Sequence, residues 1–172
     1  MASPIINSCV GWHAIQVGWV RCGVDAAFFE HDKSMGIGMV VRDHAGEFVI
    51  EKLMKVRGSR DVAEGELMGI NEALSWLKSL GYEHGWIDCD SKIACDAVLK
   101  GVGFINERGV LADYCRRELS TMPGVQVCNV RRSRNAIAHC LAKAARDIST
   151  LHVWNEPSSF VEGHLHVPCS CG

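Results

Sequence analysis

The chain has 172 residues, 48% hydrophobic and 22% charged, with 18 basic and 20 acidic side chains and a formal net charge of −2. A chain of that size buries roughly 70% of the surface it exposes when unfolded, so one domain holds a full core without disulfides or a structural metal. Its unbroken apolar runs, such as Met39-Val40-Val41, fall far short of the roughly 20 residues that span a bilayer, which excludes a helical membrane anchor.

Trp19 to Ala27 alternates, with Val20, Cys22, Val24 and Ala26 on one side and Trp19, Arg21, Gly23 and Asp25 on the other, the period of a strand. A polar stretch, Glu30 to Ser34, leads to a second predicted strand over Gly36 to Arg42. Asp43-His44-Ala45-Gly46 then turns into a third, Glu47 to Val56. Connections this short predict an antiparallel meander. From Ala63 the period changes: Leu67, Ile70, Leu74 and Leu77 recur at three and four residues and Gly81 suits the end of a helix. Trp86 to Asp90 reads as a short strand, and Ser91 as the cap of a helix lined by Ile93, Ala94, Ala97 and Val98. Gly101 to Gly103 breaks that helix. Ile105 to Met122 contains another, with Leu111, Tyr114, Cys115 and Leu119 on a common side and Pro123-Gly124 as its stop. Val125 to Arg131 reads as a strand, and Asn135 as the candidate cap of a last helix carrying Ile137, Leu141, Ala144, Ala145 and Ile148.

Strands joined through helices are parallel neighbours with right-handed crossovers. The expected fold is therefore α/β, a mixed five-stranded sheet (three antiparallel strands, then two parallel) with helices on both faces. Residues 1–16 read as a lead-in, 17–149 as the domain and 150–172, with Pro157, Pro168 and no periodicity, as an irregular tail. The lead-in has neither a basic stretch ahead of an apolar core nor an Arg-rich amphipathic pattern, so the expected location is intracellular. Nine cysteines, an odd number scattered through periodic segments, suit reduced thiols serving as small core residues. His164, His166, Cys169 and Cys171 in the tail lack the usual C-x2-C spacing of a zinc module.

Charge is unevenly placed. Val130 to Arg146 carries Arg131, Arg132, Arg134, Lys143 and Arg146 with no acid, a stripe that serves either as a phosphate-binding edge or as a solvated helix face. The topology also brings four chemically capable positions near one another: Asp25 in the first strand, Asp90 at the end of the fourth, Glu66 in the opening turn of the first long helix and His139 in that of the last. Gathered carboxylates repel unless cations neutralise them, and oxygen-rich clusters suit Mg2+. Two divalent ions facing three carboxylates leave positive charge for one substrate phosphate, the logic of two-metal phosphodiester cleavage. Singly, each acid is also consistent with an exposed charge. Glu64, Asp88 and Asp96 are equally acidic, Asp88 shares the strand facing of Asp90, and His139 reads equally well as a histidine packed beside Cys140 and Leu141.

The stretches Trp19-Val-Arg-Cys-Gly-Val-Asp25-Ala-Ala27, Gly36-Ile-Gly-Met-Val-Val-Arg42-Asp43-His-Ala-Gly46, Glu66-Leu-Met-Gly-Ile-Asn-Glu-Ala-Leu74, Ile87-Asp-Cys-Asp90-Ser91 and Arg132-Ser-Arg-Asn135-Ala-Ile-Ala138-His139-Cys-Leu141-Ala142-Lys143 resemble, in order, the motifs of ribonuclease H. The resemblance is to the plant ribonuclease H-like domain, which occurs alone and at the end of non-LTR retroelement polyproteins. It implies a metal-dependent endonuclease that cuts the RNA strand of RNA/DNA hybrids, leaving 5′-phosphate and 3′-hydroxyl ends. Asp25 is then the carboxylate bridging two ions, Mg2+ or Mn2+, and Glu66 and Asp90 complete the ligands of one of them. His139 stands where cellular ribonucleases H carry an Asp, so modest activity in Mg2+ and better activity in Mn2+ are expected, because manganese tolerates imidazole better.

Hybrid recognition in such a family runs through the 2′-hydroxyls of a shallow minor groove, with Arg132, Arg134, Asn135 and Lys143 as the candidate nucleic-acid-binding residues. Arg132 either holds a phosphate or hydrogen-bonds the Asn135 cap. The chain departs from the family in having Ala26 where Gly is usual and Gly65 where Ala is usual. It also lacks the histidine-bearing loop and the Lys- and Trp-rich protrusion of some bacterial relatives, so low substrate affinity is expected. The rival from another class is a catalytically weak or inactive module that binds nucleic acid or a protein through the same surface. Integrases, resolvases and exonucleases with other acid spacings are a third.

Overall fold

A computed structural model describes residues 15–58, 61–101, 106–149 and 151–162. The first alternating stretch forms β1 (Val20–Phe29), which pairs antiparallel with β2 (Ser34–Arg42), itself antiparallel with β3 (Phe48–Arg57). Asp43 shapes the β2–β3 turn, its carboxylate accepting the N–H groups of Ala45 and Glu47, while Gly46 takes the positive φ the turn requires. The chain then enters α1 (Val62–Ser79), capped by the Asp61 side chain on the Glu64 N–H. It continues through β4 (His84–Cys89), α2 (Lys92–Lys100), α3 (Glu107–Ser120), β5 (Gly124–Asn129) and α4 (Ala136–Ala144). Ser91 caps α2 through the Ala94 N–H, and Gly101 ends it in the left-handed region.

β4 lies parallel to β1, and β5 parallel to β4. Among the described residues, however, the sheet has six strands in the order β5-β4-β1-β2-β3-β6, because β6 (His152–Trp154) pairs antiparallel with β3. This corrects both the five-strand expectation and the reading of 150–172 as irregular throughout. Three residues are too few to show a period, and β6 is recruited by the open edge of β3. The chain that follows seals the same end: Val161 is fully buried beside Leu53 and Leu141, and the buried Glu51 carboxylate accepts the Ser158 N–H. Most of the lead-in, residues 1–14, and the His164–Cys171 stretch lie outside the described residues.

Two layers of helix cover the sheet. Leu67, Ile70, Leu74 and Leu77 of α1 pack with α2 and α3 onto one face, against Cys22, Val24, Ile37, Ile87 and Val127. Ile137 and Leu141 of α4 pack on the other, against Phe29, Val40 and Leu53. With both faces covered, β2 is buried from Ser34 to Val41 rather than alternating. On α3 the predicted stripe narrows: Ala112 and Cys115 are buried while Tyr114 is half exposed, because only one edge of that helix meets α1. Cys22, Cys89, Cys95 and Cys115 are buried free thiols, as expected, but Cys128 is disulfide-bonded.

The approach of α4 depends on glycine. A Cβ at Gly38 would stand 2.5 Å from the Ala138 carbonyl oxygen, and one at Gly36 would overlap that of Ala142. Glycine at both positions lets the α4 backbone rest on β2, one strand away from Asp25, whose register partner is Gly38. Among the described residues no helix is long and apolar enough to cross a membrane.

Candidate active site

Three elements converge on one point. Asp25 lies one residue beyond Val24↔Cys89, the last parallel pair of β1 and β4, and Asp90 directly follows β4, so the two carboxylates become lateral neighbours. Glu66 enters from the first turns of α1, one residue before the fully buried Leu67 that anchors the helix. Asp25, Glu66 and Asp90 each present an oxygen within 4.8 Å of the other two. His139 reaches the cluster through Asp25: its Nδ1 lies 2.6 Å from Asp25 Oδ2, which leaves Nε2 for other partners. The ring therefore joins the site beside Asp25 rather than as a fourth member of the tight group.

This concentration of negative charge sits out of water, with Asp25 1% and Glu66 5% exposed. Burial is the main cause that raises the pKa of Asp25, with the His139 hydrogen bond opposing it and the charge of Asp90 adding to it. Glu66 is pushed up to about 10, first by burial and then by Cys89 and Asp25. In the metal-free protein at neutral pH, Glu66 therefore holds a proton. Asp90 is relieved by Arg132, whose Nε donates to its Oδ2 at 3.2 Å from a largely exposed side chain. Asp25 Oδ1 is buried with no hydrogen-bond partner. An orphaned carboxylate oxygen costs free energy unless something positive meets it. A converging set of hard oxygen donors that includes this carboxylate fits a divalent cation of the magnesium or manganese kind.

The neighbouring acids have other uses. Asp88 accepts a two-pronged hydrogen bond from Arg21, at 2.8 and 2.7 Å, and Asp96 is bracketed by Lys92 and Lys100. The predicted basic residues divide. Arg132 and Lys143 are exposed and Arg134 half-buried, and Lys143 stands one turn beyond His139 on the same side of α4. Asn135 is a correction. It occupies the cap position of α4 but makes no side-chain cap bond; it is 3% exposed and its Nδ2 donates to the Val24 carbonyl at 2.7 Å. Its amide pins α4 to β1 next to Asp25, and its backbone N–H, not its side chain, meets Arg132, at that residue's carbonyl.

By its place in a periodic segment Cys89 reads as a small core residue, and it is buried. Its thiol also donates to Glu66 Oε2 at 3.4 Å, and the pKa of that thiol is raised, chiefly by Cys95 and by burial. Strand alternation carried the signal, since it turns Cys89 away from the Asp88 face and toward the helix bearing Glu66. Of the two departures from the family pattern, Gly65 faces Ala26 across the core: a Cβ at Gly65 would overlap the Met35 sulfur first and would stand 3.2 Å from the Cβ of Ala26.

The sequence profile of a family described as reverse transcriptase-like matches residues 23–145. No curated protein matches the chain. Among solved structures, ribonuclease H1 from the halophilic archaeon Halobacterium salinarum NRC-1 superposes with a TM-score of 0.69 at 19% identity, over 75% of this chain and 98% of that one. The N-terminal ribonuclease H domain of rv2228c from Mycobacterium tuberculosis gives 0.65 at 21% identity, over 77% and 95%. LC11-RNase H1 in complex with an RNA/DNA hybrid gives 0.61 at 19% identity, over 74% and 96%.

Proposed function

Because this chain belongs to the reverse transcriptase-like family and its domain has the ribonuclease H fold, we propose that it is a metal-dependent endonuclease hydrolysing the RNA strand of RNA/DNA hybrids. The observation that carries the reading is the meeting of Asp25, Glu66 and Asp90 within 4.8 Å, with one buried oxygen of Asp25 left unpartnered. That arrangement is costly for a fold and useful for phosphodiester chemistry. Capture of an RNA/DNA hybrid by a protein of the same fold supports the choice of substrate.

In this reading Asp25, Glu66 and Asp90 hold two divalent ions, with His139 beside Asp25. When bound, the ions supply Lewis acidity at the scissile phosphate and a water acidified to near neutral pKa. The protein's residues set the geometry. Water attacks phosphorus in line with the 3′ oxygen, the P–O3′ bond breaks, and the products carry 5′-phosphate and 3′-hydroxyl ends. His139 Nδ1 fixes one oxygen of Asp25 while Nε2 remains available as a ligand or proton carrier. Burial of Asp25 and Glu66 keeps competing water from their oxygens. Arg132, Arg134 and Lys143 take backbone phosphates, Arg132 exchanging its contact with Asp90 for a substrate oxygen. An imidazole at position 139 favours Mn2+ over Mg2+.

The test is a strand-labelled hybrid, double-stranded RNA and duplex DNA incubated with Mg2+ or Mn2+, wild type against Asp25→Asn. RNA cut only within the hybrid, faster in Mn2+ and reduced to background by the substitution, is the expected result. Cutting that survives Asp25→Asn refutes the assignment. Hybrid binding with no cutting in either metal favours the inactive module, the reading to which the imidazole of His139 lends weight.

A further inference from the structure

On the α4 side of the sheet, further back along β1 from Asp25, three arginines converge from three separate elements. Arg21 of β1 and Arg42 of β2 are direct cross-strand partners, a placement that like charges disfavour. Arg134 closes over them from the 3-10 turn Arg132–Arg134 that precedes α4. Together with Asp88 they line a shallow open depression whose floor includes Gly23 and Asn135. The depression exists because Gly23 has no side chain: a Cβ there would stand 2.9 Å from Asn135 Oδ1, and Asn135 is held in place by the Val24 carbonyl.

The site is built rather than incidental. Arg21 is 8% exposed, its guanidinium is clamped by both oxygens of Asp88, and it lies 5.7 Å from the centre of the Trp86 ring. Three guanidinium groups and one carboxylate are among the groups that line the depression. Forked guanidinium donors match phosphate oxygens better than they match any other common anion except carboxylate. Arg21 precedes Asp25 by four residues on the same face of β1, which at the rise of a strand separates them by roughly 13 Å. A nucleic-acid strand with one phosphate at the carboxylates brings a phosphate a short way along its backbone within reach of the arginines.

We infer that Arg21, Arg42 and Arg134 form a subsite for a non-scissile backbone phosphate of the bound nucleic acid, an inference that rests on the nuclease reading for its ligand. It is tested by fluorescence anisotropy of a labelled RNA/DNA hybrid with the full chain in EDTA over a salt series, comparing wild type, Arg42→Gln, Arg42→Lys and Arg134→Gln. Arg21 is left intact because its removal would strand Asp88. In parallel, inorganic phosphate is titrated into the wild type while the arginine Nε–H signals are followed by NMR. Each glutamine variant should flatten the plot of log affinity against log salt, the full loss of the one phosphate contact being worth about 0.9; Arg42→Lys should keep the wild-type slope with weaker binding, and phosphate should move the arginine signals. Unchanged slopes in both glutamine variants, with hybrid still bound and no response to phosphate, would overturn the subsite and leave the nuclease reading standing. A chain that ignores the hybrid while phosphate moves the arginine signals would remove the nuclease reading and uphold the anion site.

Discussion

Glu66→Gln should make the metal-free protein more stable while removing its response to metal. Glutamine keeps the volume of Glu66 and an oxygen to accept the Cys89 thiol, and it removes only the ionisable proton. The pKa of Glu66 is raised from 4.5 to about 10, with burial the leading cause. A raised folded-state pKa means that the group's contribution to stability is fully present below pH 4.5 and is lost progressively as pH climbs toward 10, because the unfolded chain releases the proton and the fold retains it. Each pH unit in that window weighs about 1.4 kcal/mol, so at pH 7 the wild type carries a burden of about 3 kcal/mol at most that the glutamine does not. Urea denaturation in EDTA at pH 5, 6 and 7 reads it directly: the variant's advantage should be greatest at pH 7 and shrink toward pH 5. Added Mn2+ should reverse the order, since metal binds the ionised carboxylate and stabilises only the fold that can hold it. A variant no more stable than wild type in EDTA at pH 7 would refute the claim that these carboxylates are held together at a cost to the fold.

Metal binding to the wild type near pH 7 should release about one proton, mainly from Glu66, measurable by calorimetry in buffers of different ionisation enthalpy; no buffer dependence would count against it. Gly38→Ala should cost about 2–3 kcal/mol, because the new Cβ would meet the Ala138 carbonyl oxygen at 2.5 Å and lift α4. Cutting should fall with it as His139 moves off Asp25, and a variant with wild-type stability would show that α4 is not seated as described. Ending the chain at residue 150 removes β6, the fully buried Val161 and the Ser158 partner of Glu51. Val161 alone accounts for about 2 kcal/mol, and equal denaturation midpoints for the short and full chains would contradict that packing.

Much of this architecture is legible along the chain because local order and hydrophobic period are local properties. Alternation from Trp19, the three-and-four spacing from Leu67 and the stop at Pro123-Gly124 each report an element without reference to the rest. The right-handed crossover then places Asp90 beside Asp25, which is how two acids 65 positions apart could be paired before any coordinates. Asn135 shows where such reading ends. Its place ahead of an apolar period marks a cap, yet its amide serves the Val24 carbonyl, a partner more than a hundred residues earlier that no local pattern reveals. Arg21, Arg42 and Asp88 likewise carry no local sign of one another, and only register and sheet order set them side by side.

By itself, then, the sequence determined the elements from β1 to α4, their order and the four positions worth suspecting, because those follow from period, turn chemistry and topology. Only the tertiary structure decided that Glu66 is buried against Cys89, that Asp25 keeps one oxygen unanswered, that β6 and Val161 belong to the domain, and which arginines face one another. Those outcomes depend on desolvation and on distances between segments remote along the chain, and neither quantity exists until the chain has packed.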